Sequence, residues 1–124
     1  MNYKNLAIAA ALGAITIILG AFGAHALKKV LSEDMLASFE TGVKYQMYHV
    51  FVLLFVNSFA SFTLKDQNML TAIFVIGILL FSGSIYLITA LKVSPKNIWF
   101  ITPLGGTILI VGWIMMVVKF LKLA

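Results

Sequence analysis

The fold is decided by two strings of sequence, Gly20-Ala21-Phe22-Gly23-Ala24-His25 and Tyr45-Gln46-Met47-Tyr48-His49. The first string closes a long apolar run, and the second opens the next one. The window between them, residues 25–49, holds both histidines, two of the four tyrosines and three of the four acids. Polar side chains are therefore concentrated where two apolar segments follow each other, and we expect any functional site here.

The composition points to a membrane protein with one domain. The chain has 124 residues, of which 62% are hydrophobic and 10% are charged. Soluble proteins carry about 25% charged residues. A soluble chain this short could not bury so much apolar surface, so we expect lipid to be its solvent.

The charged residues narrow the classes of partner. All nine basic residues are lysines, and they give the chain a net charge of +5. They lie at the ends of the apolar runs, where they are expected to anchor the chain near anionic lipid headgroups. No basic strip interleaved with aromatic residues is present, which argues against a nucleic-acid partner. The absence of cysteine excludes disulfides, a thiol nucleophile and a thiolate metal site.

Four apolar runs are predicted to be transmembrane helices, at residues 5–27, 43–64, 68–91 and 98–121. Each run exceeds the roughly 20 residues that a helix needs to cross a hydrocarbon layer. The prediction is a single transmembrane domain, residues 1–124, folded as an all-α, antiparallel up-down four-helix bundle. Both termini would lie on the same side of the membrane.

The first run has an alternative interpretation as a cleaved secretory signal. Lys4 gives it a basic start, and Ala24-His25-Ala26 fits a cleavage site. Its apolar core is much longer than the usual length of about 7–15 residues, which favours a retained helix.

The lysines divide almost evenly between the two sides of the membrane, so the positive-inside rule gives only a weak preference for cytoplasmic termini.

A polar segment separates the first two predicted spans. Ser32 can cap a short helix, and Glu33 and Asp34 are favourably placed in its first turn. Met35 and Phe39 fall on one apolar face of that helix. The pattern predicts a short interfacial amphipathic helix between helices 1 and 2.

Small residues indicate the helix-packing surfaces. In lipid, helices associate by close approach of their backbones, so small side chains mark protein contacts. On the first helix the small residues group on one side, which predicts neighbours around more than half of its circumference. Pro103 and the two glycines that follow it predict a bend in the fourth helix. The predicted packing glycines are Gly13, Gly20, Gly23, Gly77, Gly83, Gly105, Gly106 and Gly112.

The candidate site is a polar cluster near one membrane face. His25 lies near the end of the first run, and Tyr45, Gln46 and His49 are spaced to share one side of the second helix. Polar groups at this depth need partners, and a neutral imidazole can both donate and accept. We therefore predict that His25, Gln46 and His49 form a hydrogen-bonded cluster, with Tyr45 and Glu40 as further members.

Several interpretations of this cluster are open. Structurally, it would fasten the first helix to the second, as interhelical hydrogen bonds commonly do. Functionally, it would be a proton relay or a ligand site, because ionisable groups inside a membrane are candidates for function. A metal site is disfavoured because two histidines and Glu40 fall short of the usual three or four ligands. A catalytic site is disfavoured because no nucleophile motif accompanies the histidines.

Three strings carry a resemblance to a known family: Leu19-Gly20-Ala21-Phe22-Gly23-Ala24-His25, Phe39-Glu40-Thr41-Gly42-Val43 and Tyr45-Gln46-Met47-Tyr48-His49. They resemble the YgdD/YwdK-like family of small bacterial inner-membrane proteins, a domain of unknown function that is similar to small mitochondrial membrane proteins of eukaryotes. The resemblance covers essentially the whole chain. It implies a multi-pass protein of the bacterial cytoplasmic membrane, and it implies no activity. The signature positions it implies are Gly20, Gly23, His25, Tyr45, Gln46 and His49.

The sequence predicts a non-enzymatic membrane component without a cofactor or metal. Its expected partners are membrane lipids, other membrane proteins or further copies of itself, and not nucleic acid. The alternative function is an oligomeric transporter or proton-conducting protein that uses His25 and His49. Transport would need oligomerisation, because four helices packed on one another leave little room for a pore within one chain.

Overall fold

The computed structural model describes all 124 residues and contains helices but no strand. Helix α1 covers Tyr3–Leu27, α2 covers Glu33–Ser58 and α3 covers Leu64–Thr89. A single turn at Pro95–Ile98 leads into α4, which covers Ile101–Leu123. The predicted all-α fold with four long helices is confirmed.

Neighbouring helices run antiparallel and pack in the order of the chain. Along α1, Gly13 faces Val50 of α2 and Gly23 faces Phe39, so the two helices run in opposite directions. The same reversal relates α2 to α3 and α3 to α4. Because the chain reverses direction three times between its four long helices, both termini lie at one end of the bundle, which we call the terminal face.

The hydrophobic core lies where α2, α3 and α4 meet. Leu53 and Val56 of α2 are fully buried there against Leu70 and Phe74 of α3. Helix α1 contributes only Ala9 to this cluster of buried side chains. α1 is therefore an edge helix of the bundle rather than part of its centre.

Three segments are long and apolar enough to cross a membrane: Tyr3–Leu27, Leu64–Thr89 and Pro95–Leu123. Helix α2 is long enough but less apolar, because Lys44, Gln46 and neighbouring polar residues occupy its middle. It packs between α1 and α3. Two spanning helices therefore flank the most polar helix of the bundle.

The predicted limits of the second helix were wrong at both ends. Ser32 does cap a helix, since its hydroxyl accepts a hydrogen bond from the Met35 backbone nitrogen at 3.2 Å. That helix is α2 itself, which continues past Gly42 to Ser58, so no separate interfacial helix exists. α2 continues through Gly42, where the Tyr86 ring packs closely against the helix. A methyl group added at Gly42 would lie 3.0 Å from that ring, so this contact favours a glycine within the helix.

Residues 65–67, which the predicted bounds leave between the second and third helices, lie in the first turn of α3. Thr63 and Asp66 form a capping box, in which each side chain accepts a hydrogen bond from the other residue's backbone nitrogen. This box starts α3 at Leu64 and moves the connection to residues 59–63. The predicted connection, residues 65–67, therefore lies too late in the sequence.

The fourth helix is interrupted one turn before its proline. The interruption lies at Trp99 and Phe100, and the helix then continues through Gly105 and Gly106. Pro103 has no backbone N–H to donate to the carbonyl of Trp99, four residues earlier. The helix is therefore interrupted nearer its start than the predicted bend at Pro103 and the two glycines.

The small flank of α1 faces α2, where a π-helical segment, Ile18–Gly23, widens the helix. A methyl group added at Gly20 would lie 3.1 Å from Val43, and one at Gly23 would lie 3.2 Å from Phe39. The prediction that neighbours surround more than half of α1 was wrong. Only Asn5, Ala9 and Thr16 of its first fifteen residues are buried, because α2 alone covers it along most of its length.

Most of the predicted packing glycines lie at helix contacts. At the α3–α4 contact, a methyl group added at Gly77 or Gly112 would lie within 2.7 Å of Leu109 or Phe74, respectively. Gly106 approaches the Phe81 ring more loosely, at 3.4 Å. Gly83 is the exception, because nothing lies within 4 Å of the corresponding position. The prediction that Gly83 packs against a neighbouring helix of its own chain was wrong.

Candidate functional site

Gln46 connects three helices. Its Nε2 donates to the Thr16 hydroxyl of α1 at 2.8 Å and to the Leu12 carbonyl at 3.3 Å. Its Oε1 accepts a hydrogen bond from the Tyr86 hydroxyl of α3 at 2.7 Å. The amide is therefore satisfied on both sides, and it fastens α1 and α3 to α2.

His49 lies between α2 and α4, with both ring nitrogens engaged. Its Nδ1 lies 2.6 Å from the Tyr45 carbonyl, which can only accept, so Nδ1 carries the proton. Its Nε2 consequently accepts a hydrogen bond from the Trp113 indole nitrogen at 3.1 Å. This arrangement holds a neutral imidazole and leaves no nitrogen free to take up another proton.

An open groove of about 300 Å³ runs beside this pair, between α2 and α4. Tyr45, Phe81, Ile110 and Trp113 line it together with His49. The Tyr45 ring packs edge-on against the rings of Tyr48 and Phe81. The groove is mostly apolar and faces outward, as expected of a surface that meets hydrocarbon.

The predicted cluster of His25, Gln46 and His49 does not form. His25 is exposed and makes no hydrogen bond, whereas His49 and Gln46 have separate partners. The register of α1 against α2 brings His25 level with residues 37–38, and His49 lies about 17 Å further along α2. The prediction failed because α2 starts ten residues earlier than expected, which carries His49 deeper into the bundle.

The other two predicted members also lie apart from any cluster. Glu40 is exposed and forms no ion pair. The Tyr45 side chain is 42% exposed, and only its backbone carbonyl meets His49. Of the five predicted residues, Gln46 and His49 are buried and hydrogen-bonded to other helices.

A second polar cluster, which sequence analysis missed, lies near the terminal face. Asn5 donates to Asn57 at 3.0 Å and to Asn68 at 2.9 Å, so one amide contacts both α2 and α3. Asn2 also donates to Asn68, at 2.8 Å, and Asn57 donates to the Thr71 hydroxyl at 2.8 Å. Asn5 and Asn68 only begin two of the predicted runs, and the sequence pattern does not single out Asn2 or Asn57.

The polar interior of the bundle is fully paired. No buried side-chain nitrogen or oxygen lacks a hydrogen-bond partner. No group of three or more histidine, aspartate or glutamate side chains is arranged to hold a metal ion. The one ion pair, Lys119 with Asp66, joins α4 to α3 at the terminal face.

The chain matches a known protein-family model. The model of the family described as "Protein of unknown function (DUF423)" matches residues 19–106. This range contains both strings that decide the fold. The chain belongs to this family.

Curated relatives of this DUF423 protein match over nearly their whole length. A UPF0382 membrane protein of Haemophilus influenzae is 40% identical over 114 residues, which cover 92% of this chain and 90% of the relative. The UPF0382 membrane protein YwdK of Bacillus subtilis is 41% identical over 118 residues, with 90% and 94% coverage. The UPF0382 inner membrane protein YgdD of Escherichia coli is 34% identical over 120 residues, with 95% and 89% coverage. No solved structure gives a significant match.

These names agree with the three spanning helices, and they assign no reaction. The resemblance that the sequence strings suggested is therefore confirmed. The DUF423 chain is a small membrane protein of a family whose biochemical function is unknown.

Proposed function

We propose that this DUF423 chain is a non-enzymatic component of the bacterial cytoplasmic membrane. It acts through contacts that its outer surface makes with lipids, other membrane proteins or copies of itself. The relative from Escherichia coli, named an inner membrane protein, supports this location. Exposed apolar side chains on α1 and α4 supply the contact surface, and they include Ile17 and Ile114.

One observation carries this proposal: every buried polar side-chain atom of the bundle has a hydrogen-bond partner within the chain, and most of these side chains join two helices. Gln46 fastens α1 and α3 to α2, and His49 fastens α4 to α2. The asparagine cluster does the same near the terminal face. With its interior committed to the fold, the chain has its outer surface left for function.

The alternative, an oligomeric transporter or proton conductor, finds less support in this geometry. A relay needs titratable groups within reach of each other, and His25 and His49 are separated by about 17 Å along the helix axis. The imidazole of His49 also has both nitrogens occupied. Conduction would require it to break one of these hydrogen bonds.

A flux assay separates the two functions. The purified chain is reconstituted in liposomes that contain a pH-sensitive dye, and a membrane potential is applied. We expect proton flux equal to that of protein-free liposomes. A flux in wild type that disappears in a folded His49→Ala variant would overturn the contact function.

Site-directed crosslinking tests the contacts themselves, because the chain has no cysteine of its own. Ile17→Cys and Ile114→Cys lie on the outer faces of α1 and α4, and Leu53→Cys lies in the core as the matched control. In native membranes, a crosslinker on the outer positions should give discrete adducts, and the core position should give none. Outer positions that yield no discrete protein or lipid adduct would count against the proposal.

A further inference from the structure

An open cleft runs along the bundle between α1 and α3. Its lower part, of about 430 Å³, is lined by Lys4, Asn5 and Asn68 at the terminal face and by Ile8 and Val75 further in. Its upper part, of about 200 Å³, begins one helical turn later on both helices, at Leu12 and Ile78. The two parts therefore follow each other along the same pair of helices, and Gln46 and Tyr86 lie at the upper end of the second part.

The upper part of the cleft suits hydrocarbon rather than water. Leu12, Ile15, Leu19, Ile78 and Leu79 supply most of its lining. The polar side chains there, Gln46 and Tyr86, are hydrogen-bonded to each other and are not free to bind a polar ligand. A groove without free polar partners does not hold water well.

Gly83 is the second sign of an occupant. It lies on the cleft wall, and nothing of its own chain comes within 4 Å of the position where a side chain would begin. A glycine inside a helix lowers stability by roughly 0.5–1 kcal/mol relative to alanine. Elsewhere in this bundle a neighbouring helix packs closely against the glycine, but none does so at Gly83. Between Asn68 and Gly83 the cleft extends about 22 Å along α3, which is long enough for most of an acyl chain.

The mouth of the cleft carries positive charge and a free hydrogen-bond donor. Asn68 Oδ1 accepts two hydrogen bonds, from Asn2 and Asn5, so its own amide nitrogen points away from them without a partner in the chain. Lys4 forms no ion pair. Of the four lysines at the terminal face, only Lys119 is neutralised, by Asp66, which is the sole acid on that face.

We propose that the α1–α3 cleft binds an anionic phospholipid. The phosphate lies at Lys4 and the Asn68 amide, and one acyl chain extends along the cleft past Gly83. This inference rests on the proposed contact function and gives it a lipid class. The cleft fits a lipid better than a second protein helix. The cation and the free donor at its mouth complement a phosphate, and the apolar groove below them complements an acyl chain.

Native mass spectrometry of the full chain tests the binding. The probes are phosphatidylglycerol and phosphatidylcholine with the same acyl chains, and glycerophosphoglycerol as the headgroup alone. We expect the chain to retain phosphatidylglycerol preferentially and not to bind the free headgroup. Equal retention of the two lipids, or binding of the headgroup alone, would overturn the proposal.

Two variants examine the two ends of the cleft. Lys4→Gln should reduce the preference for phosphatidylglycerol by roughly fivefold, as expected for one lysine at a membrane surface. Lys96→Gln makes the same change of charge on the opposite face and should leave the preference unchanged. Equal effects of both variants would show a general charge effect and overturn the site.

Gly83→Leu should fill the upper cleft and lower the retention of both lipids. Ala14→Leu places the same side chain on the exposed side of α1 and should not lower it.

Photolabelling of the wild-type chain needs no variant to fold. A phosphatidylglycerol with a diazirine in its acyl chain should label residues 8–19 and 75–86 more than the outer face of α4. Uniform labelling would overturn the proposal, while proton flux in liposomes would overturn the contact function and leave this lipid site standing.

Discussion

At the scale of single residues, Gly105 is the glycine at which another helix comes closest. A methyl group added there would lie 2.3 Å from the Phe81 backbone nitrogen, and a backbone cannot move aside as a side chain can. Gly105→Ala should therefore cost about 1–3 kcal/mol of unfolding free energy, the usual cost of overpacking.

Gly83→Ala is the matched control for that substitution, because its added methyl group meets nothing. It should leave stability unchanged or raise it by up to about 1 kcal/mol. Unfolding of both variants in the same detergent gives the comparison. Equal losses would show that the close α3–α4 contact is not the cause.

The two histidines should behave differently when replaced. His49→Phe removes the hydrogen bond from Trp113, and interhelical hydrogen bonds in membranes contribute about 0.6 kcal/mol on average and up to about 1.7 kcal/mol. A double-mutant cycle with Trp113→Phe should measure a coupling energy of this size.

His25→Ala should change stability little, because the His25 side chain is exposed and makes no hydrogen bond. A coupling energy between His25 and His49 would instead restore the predicted cluster.

At the scale of helices, α1 depends on a few polar contacts. It packs mainly on α2 and contributes one residue to the hydrophobic core. Gln46→Leu removes the hydrogen bonds to Thr16 and Leu12 and leaves the Tyr86 hydroxyl without its acceptor. We expect faster amide hydrogen exchange in α1 than in wild type, with α3 and α4 little affected. Uniformly faster exchange in all helices would mean that α1 does not open separately.

The helices could be predicted from sequence better than their ends. Hydrophobic length located all four, but α2 starts at Glu33 because Ser32 caps it and Gly42 continues it. The polar start of α2 predicted a separate helix, since a pattern of residues does not show whether two helical segments join. The Thr63–Asp66 capping box was present in the sequence and was overlooked.

The candidate site was predicted only in part, for a related reason. Gln46 and His49 are polar residues in the first two turns of a predicted apolar run, so they could be singled out, but their partners come from distant segments. Trp113 lies 64 residues after His49, and Asn57 lies 52 residues after Asn5. Such pairs depend on helix register, and a ten-residue error in one helix start separates side chains by about 15 Å.

At the scale of the molecule, the interior of the bundle is hydrogen-bonded throughout, whereas clefts open at its outer surface. Its buried polar groups hold the helices together, and its clefts open outward between them. This arrangement suits a protein that is recognised at its surface.

Thiol labelling of Thr16→Cys tests this closed interior most directly. Thr16 is 2% exposed, lies midway along α1 and makes contact with Gln46. In intact liposomes, a water-soluble thiol reagent supplied on both sides should label the control Lys28→Cys rapidly and leave Thr16→Cys unlabelled. Labelling of Thr16→Cys at a rate similar to that of the control would show water inside the bundle and contradict the account.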